Sequence, residues 1–105
     1  MNKKYILIKN EEVQKVINGS NNKANKYYVV YYLNNNIGYN RYCISVGKKI
    51  GKAHTRNLYK RRVKDIILKN SFIGSNDYVI ILRKAILDLS YIDMQEELIK
   101  IMEVK

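Results

Sequence analysis

A chain of 105 residues has room for one hydrophobic core, so a single domain over residues 1–105 is expected. Its 47% hydrophobic content excludes wholesale disorder, and no apolar stretch approaches the length of a membrane span. Lys and Arg number 20 against nine Asp and Glu, a formal charge of +11 that favours a polyanionic partner.

Tyr5-Ile6-Leu7-Ile8 is far too short for the apolar core of a signal peptide. Asn10-Glu11-Glu12 opens a short helix, with Asn10 the expected N-cap and the acids suited to the positive helix end. Val13, Val16 and Ile17 follow at helical spacing, and Asn18-Gly19 closes the element. Ser20 to Lys26 reads as polar loop. Tyr27 to Leu33 is aromatic and β-branched, a strand, and Arg41 to Val46 is expected to be its antiparallel partner across the Asn34–Gly38 turn. A helix spans Ala53 to Lys69, Ser71 to Asn76 breaks it, and Tyr78 to Arg83 is a buried strand. Ser90-Tyr91-Ile92-Asp93 resembles a capping box before a helix carrying Met94, Leu98, Ile101 and Met102 on one face. The pattern predicts an α/β sandwich, a small sheet against helices.

The charge is not spread evenly. Between Glu12 and Asp65 there is no acid, yet the interval holds a dozen Lys and Arg residues, densest from Lys48 to Lys64. At 100° per residue, Tyr59, Val63, Ile66 and Ile67 share one arc of the Ala53 helix. Asn57, Lys60, Arg61 and Lys64 share the opposite arc, with Arg56 between the two. Solvated helix faces usually mix signs, because opposite charges at i,i+4 stabilise a helix. Uniform positive charge over two turns is self-repelling unless phosphates neutralise it. The preceding Gly47-Lys48-Lys49-Ile50-Gly51-Lys52 has the wrong glycine spacing for a Walker loop and lacks the Ser or Thr after its last Lys.

Ser45-Val46-Gly47-Lys48-Lys49-Ile50-Gly51-Lys52-Ala53, then Arg56-Asn57 and Lys60-Arg61-Arg62, closely resemble the central motif of the bacterial ribonuclease P protein component. Asp77 to Lys84 resembles that family's second block. The resemblance implies an α+β fold of order α-β-β-β-α-β-α, with a mostly antiparallel sheet and a left-handed β-α-β crossover. It implies that Lys48, Lys49, Lys52, Arg56, Asn57, Lys60, Arg61, Arg62 and Lys64 contact the catalytic RNA subunit. It also implies a cleft for the 5′ leader of precursor tRNA, lined by Val13, Ile17, Val29 and Tyr31. The implied partners are ribonuclease P RNA and precursor tRNA in a 1:1 protein–RNA complex of monomeric protein, with no membrane or DNA partner. Mg²⁺ would be required by the RNA-containing holoenzyme and not held by the protein. Three positions depart from the family pattern. Leu58 replaces the second Arg of an Arg-Asn-Arg triplet, and Gly47 replaces a Ser. Val13 and Ile17 stand where phenylalanines are common, which shifts the expected leader contacts toward Tyr28, Tyr31 and Tyr32.

The residues themselves argue against a self-sufficient nuclease. His54 is the only histidine, so a two-histidine acid–base pair is impossible. Asp88, Asp93, Glu96 and Glu97 could supply metal ligands, but they coincide with a helix N-terminus, where acids favour the dipole anyway. No catalytic protein residue is expected. The one cysteine, Cys43, excludes an internal disulfide and fits a reducing compartment, so cytoplasm is the expected location. A ribosome-associated RNA-binding protein is the competing reading, and the Lys48–Lys64 motif disfavours it.

Overall fold

In the computed structural model, which describes residues 3–6, 9–19 and 21–103, helices cover both faces of one sheet. The elements are α1 (Asn10–Asn18), β1 (Asn22–Ala24), β2 (Tyr28–Asn34), β3 (Arg41–Val46), α2 (Ala53–Asn70), β4 (Asn76–Leu82) and α3 (Tyr91–Glu103). Short 3₁₀ turns occupy Lys3–Tyr5, Lys48–Ile50 and Lys84–Asp88. The sheet order is β1-β2-β4-β3, antiparallel except for the parallel β3–β4 pair that α2 connects. The fold is the expected α+β arrangement of three helices and a four-stranded mixed sheet.

Period-two alternation sends the strand side chains into two layers. Tyr28, Val30, Tyr42, Val46, Ile80 and Leu82 meet α2 and α3 in the main core. From α2 this core takes Tyr59, Val63, Ile66 and Ile67, the arc that helical phasing selects. Burying each such side chain contributes about 1.5–3 kcal/mol, enough to hold a helix whose other face is self-repelling. On the opposite sheet face Val16 of α1 packs on Val79, with Val13, Ile17, Tyr31, Leu33, Cys43 and Ile81 around them. The capping expectation for α3 holds: the Asp93 N–H donates to Ser90 Oγ at 3.1 Å.

Three local expectations are corrected. Arg41–Val46 does not pair with Tyr28–Asn34, because β4 lies between them and bonds to both. The directions of the two strands are still opposed. What fills the gap is the apolar run Val79–Leu82, which is suited to a central strand flanked on both sides. Asn10 is the first helical residue and not the cap; Lys9 holds the N-cap position without a side-chain bond. Part of the Ser20–Lys26 loop forms β1, an edge strand paired to β2 at Asn22↔Tyr31. Leu7, Ile8 and Ser20 lie outside the described residues.

A candidate nucleic-acid interface

The Lys48–Ile50 turn and α2 meet at Gly51, whose φ of 150° with ψ of −163° is accessible to glycine and costly for other residues. A Cβ there would also press to 3.3 Å on the Thr55 side chain. This kink brings Lys48, Lys49 and Lys52, all exposed, to the start of α2. No acid occupies the first turn of the helix, and no side chain caps it. Its positive end therefore adds to the lysines.

Along α2, Asn57 and Arg61 are exposed, and Lys60 and Lys64 are half-buried at their stems. Among the described residues, none of the cations from Lys48 to Lys64 forms a salt bridge. The first acid after the run does not neutralise them. Asp65 pairs with Lys69 at 3.3 Å and accepts the Tyr91 hydroxyl, and these two donors hold its carboxyl below the usual range. Arg62 lies over the Tyr59 ring, 5.2 Å from its centroid. The Nε of Arg56 is buried without a protein hydrogen-bond partner. Leu58, in the place of the family's second Arg, is exposed.

The proposed leader residues fall on the α1 face. Val13, Ile17 and Tyr31 gather around Val16 and Val79. Val29 shares that face by alternation but stands apart from the packed cluster. Tyr28 and Tyr32 point the other way. Tyr28 is fully buried, with its hydroxyl donating to the Met94 carbonyl at 2.9 Å, so neither lies on the α1 face. A run apolar throughout carries no alternation from which this phase could be read.

Two features of the α1 face escape sequence reasoning. Arg41, at the start of β3, donates through Nε and Nη2 to buried Asp77 at 2.8 and 2.7 Å, and its Nη1 reaches Glu12 of α1 at 3.0 Å. This link ties α1 to the sheet. The second is Cys43 on edge strand β3, half-buried against the Val16–Val79 cluster under α1. Burial pushes the Cys43 thiol up, and Lys60 only partly offsets this. Because thiolate is the reactive form, Cys43 in the folded protein should alkylate more slowly than a free thiol at neutral pH. The rate should rise only above the ordinary thiol range. The same shift predicts that stability declines as pH rises past the unfolded thiol's pKa, since only the unfolded chain then releases its proton freely. Alkylation rates followed from neutral to alkaline pH check this, and full reactivity at pH 7 would contradict it.

His54 is exposed in the first turn of α2. Among the described residues no three His, Cys, Asp or Glu side chains converge; of the acids from Asp88 to Glu97, Asp93 lies in the first turn of α3 and Glu97 pairs with Lys100 at 3.6 Å. No described helix is long and apolar enough to cross a membrane.

The chain matches the Ribonuclease P family over residues 1–104. It belongs to that family. It is 42% identical over 106 residues to the ribonuclease P protein component of Mycoplasma capricolum, covering 98% of this chain and 97% of the relative. The ribonuclease P protein of Staphylococcus aureus superposes with a TM-score of 0.87 at 32% identity, over 94% of this chain and 93% of that one. The Thermotoga maritima protein, solved with 1-(4-fluorophenyl)-2-thiourea, superposes with a TM-score of 0.86 at 26% identity, over 94% and 99%. A ribonuclease P protein is the RNA-binding subunit of an endoribonuclease that matures the 5′ end of tRNA, and this is the function of the chain.

Proposed function

We propose that the two surfaces divide the work of the holoenzyme. The polar face of α2, with Lys48, Lys49 and Lys52 before it, grips the catalytic RNA. The cleft between α1 and the sheet takes the single-stranded leader of precursor tRNA. The observation that carries the first assignment is the set of cations on one helix face without a salt bridge among the described residues, while Asp65 is engaged elsewhere. The second is supported by Tyr31, half-buried on a face shared with Val13, Ile17 and Val29, where a ring stacks on any base without reading sequence.

Arg61 serves in place of the arginine that Leu58 lacks. It lies one turn further along the helix, exposed and without a salt bridge among the described residues, whereas Arg62 is held on Tyr59. On this reading the RNA subunit with its Mg²⁺ performs the phosphodiester hydrolysis, and one protein monomer in the cytoplasm serves one RNA. The protein neutralises phosphates, lowering the Mg²⁺ needed for the RNA to fold and hold substrate.

Mixing the protein with a bacterial ribonuclease P RNA at low Mg²⁺ should therefore stimulate cleavage of precursor tRNA. An RNA-alone rate in its presence would sink the proposal. Tyr31→Ala should weaken holoenzyme affinity for precursor tRNA by about 1–3 kcal/mol while leaving mature tRNA unchanged. Equal losses for both would remove Tyr31 from the leader path.

A further inference from the structure

The sheet face that carries α2 and α3 is left uncovered at one end. Between the C-terminal turns of the two helices lies a groove of about 660 Å³, within the size range of small-ligand clefts. Its floor includes Tyr32 on β2 and Tyr78 on β4, which are register partners. Tyr42, the β3 partner of Tyr78, stacks on it with centroids 5.5 Å apart and planes 11° apart. A tyrosine ladder thus crosses three strands. Its inner rung, Tyr42, is buried, and its outer rung, Tyr32, is half-exposed at 6.5 Å from Tyr78.

The polar groups of the groove are specific. Lys23 on β1 sets its ammonium 5.4 Å from the Tyr32 centroid and forms no salt bridge among the described residues. Asn76 spends an amide N–H on the Tyr78 hydroxyl at 3.2 Å. Its side-chain oxygen accepts no hydrogen bond among the described residues. Glu103 is the acid on the rim. At the mouth stands Ile73, 99% exposed.

Ring, unpaired cation, amide and apolar lip together fit a flat heteroaromatic base joined to a phosphate. An uncharged peptide would leave Lys23 uncompensated. We propose that this groove is a second site for single-stranded RNA, taking one or two unpaired nucleotides by stacking on Tyr32 with a phosphate at Lys23. It lies on the sheet face opposite Tyr31, so it is separate from the leader cleft and stands whether or not that assignment does.

The test is an NMR titration of the isotope-labelled full chain with hexaadenylate RNA. The amides of Lys23, Tyr32, Phe72 and Asn76 should shift and saturate, and should do so equally in Tyr31→Ala. Tyr32→Leu keeps apolar volume and removes the ring, so it should weaken binding at these amides by roughly five- to a hundredfold. Lys23→Gln should flatten the salt dependence of the same shifts. Should Tyr32→Leu fail to fold, Lys23→Gln, an exchange near the surface, still decides. Shifts confined to α1, Tyr31 and α2 would overturn the proposal, as would unchanged affinity in both variants. Shifts at these amides that grow with protein concentration without RNA would assign the groove to a second copy of the chain and overturn it as well.

Discussion

Replacing Lys60, Arg61 and Lys64 together by alanine should weaken binding to ribonuclease P RNA and, more tellingly, flatten its dependence on salt. Each phosphate contact contributes a slope of about 0.7 to 0.9 in log affinity against log salt, through release of condensed counterions. Three contacts sum to roughly 2.4, so between about 50 and about 200 mM salt the parent should lose roughly thirtyfold more affinity than the variant. The folded state should not suffer. These cations make no salt bridge among the described residues, alanine is the best helix former, and their mutual repulsion disappears. The variant should melt at the parent's temperature or slightly above it. A variant that binds weakly with an unchanged slope would mean the basic face points away from the RNA. A lowered melting temperature would mean these side chains are structural. The apolar arc of α2 behaves in the opposite way: Val63→Ala should cost stability, with RNA binding by the folded fraction intact.

How much of this was legible beforehand depends on the range of the interactions involved. The two arcs of α2 were readable because helical phase is local: Tyr59, Val63, Ile66 and Ile67 are all buried. Strand neighbours are not local, and Arg41–Val46 was paired with the wrong strand because β4 arrives some thirty residues later to take the place beside it. β1 is not legible locally because Asn22, Lys23 and Ala24 carry no β-forming signal; the ladder with β2 and not propensity makes them a strand. The tyrosines show the same limit within one strand. Tyr31 and Tyr32 are adjacent and chemically identical, yet they serve opposite faces. Only the packing of α1 on one side and α3 on the other distinguishes them. The family motif located the basic segment, while the tie of Arg41 to both Asp77 and Glu12 needed three dimensions.

The Glu12–Arg41–Asp77 link is the clearest case of function-bearing geometry with no local signal, and its removal should have the second large effect. Arg41 and Asp77 are register partners on parallel strands, and both side chains lie on the α1 face. Asp77 is buried, with its carboxylate taking two N–H bonds from Arg41 and a third from Asn35 Nδ2 at 2.8 Å. Asp77→Ala would strand the half-buried guanidinium against Glu12 alone, and it should cost about 3–5 kcal/mol, the usual penalty for breaking a buried pair from one side. Arg41→Lys should cost less but remain damaging, because an ammonium cannot make the two parallel bonds of a guanidinium. Glu12→Gln removes the more exposed contact and should cost no more than about 1 kcal/mol. Denaturant melts of the three variants test this ranking. The Glu12 variant carries a second consequence, since its contact is the one that reaches α1. If that tie sets the angle of α1 over Tyr31, Glu12→Gln should weaken precursor tRNA relative to mature tRNA at nearly full stability, with RNA-subunit affinity unchanged. Unchanged affinity for both tRNAs would show that the packing of Val16 on Val79 alone positions the helix.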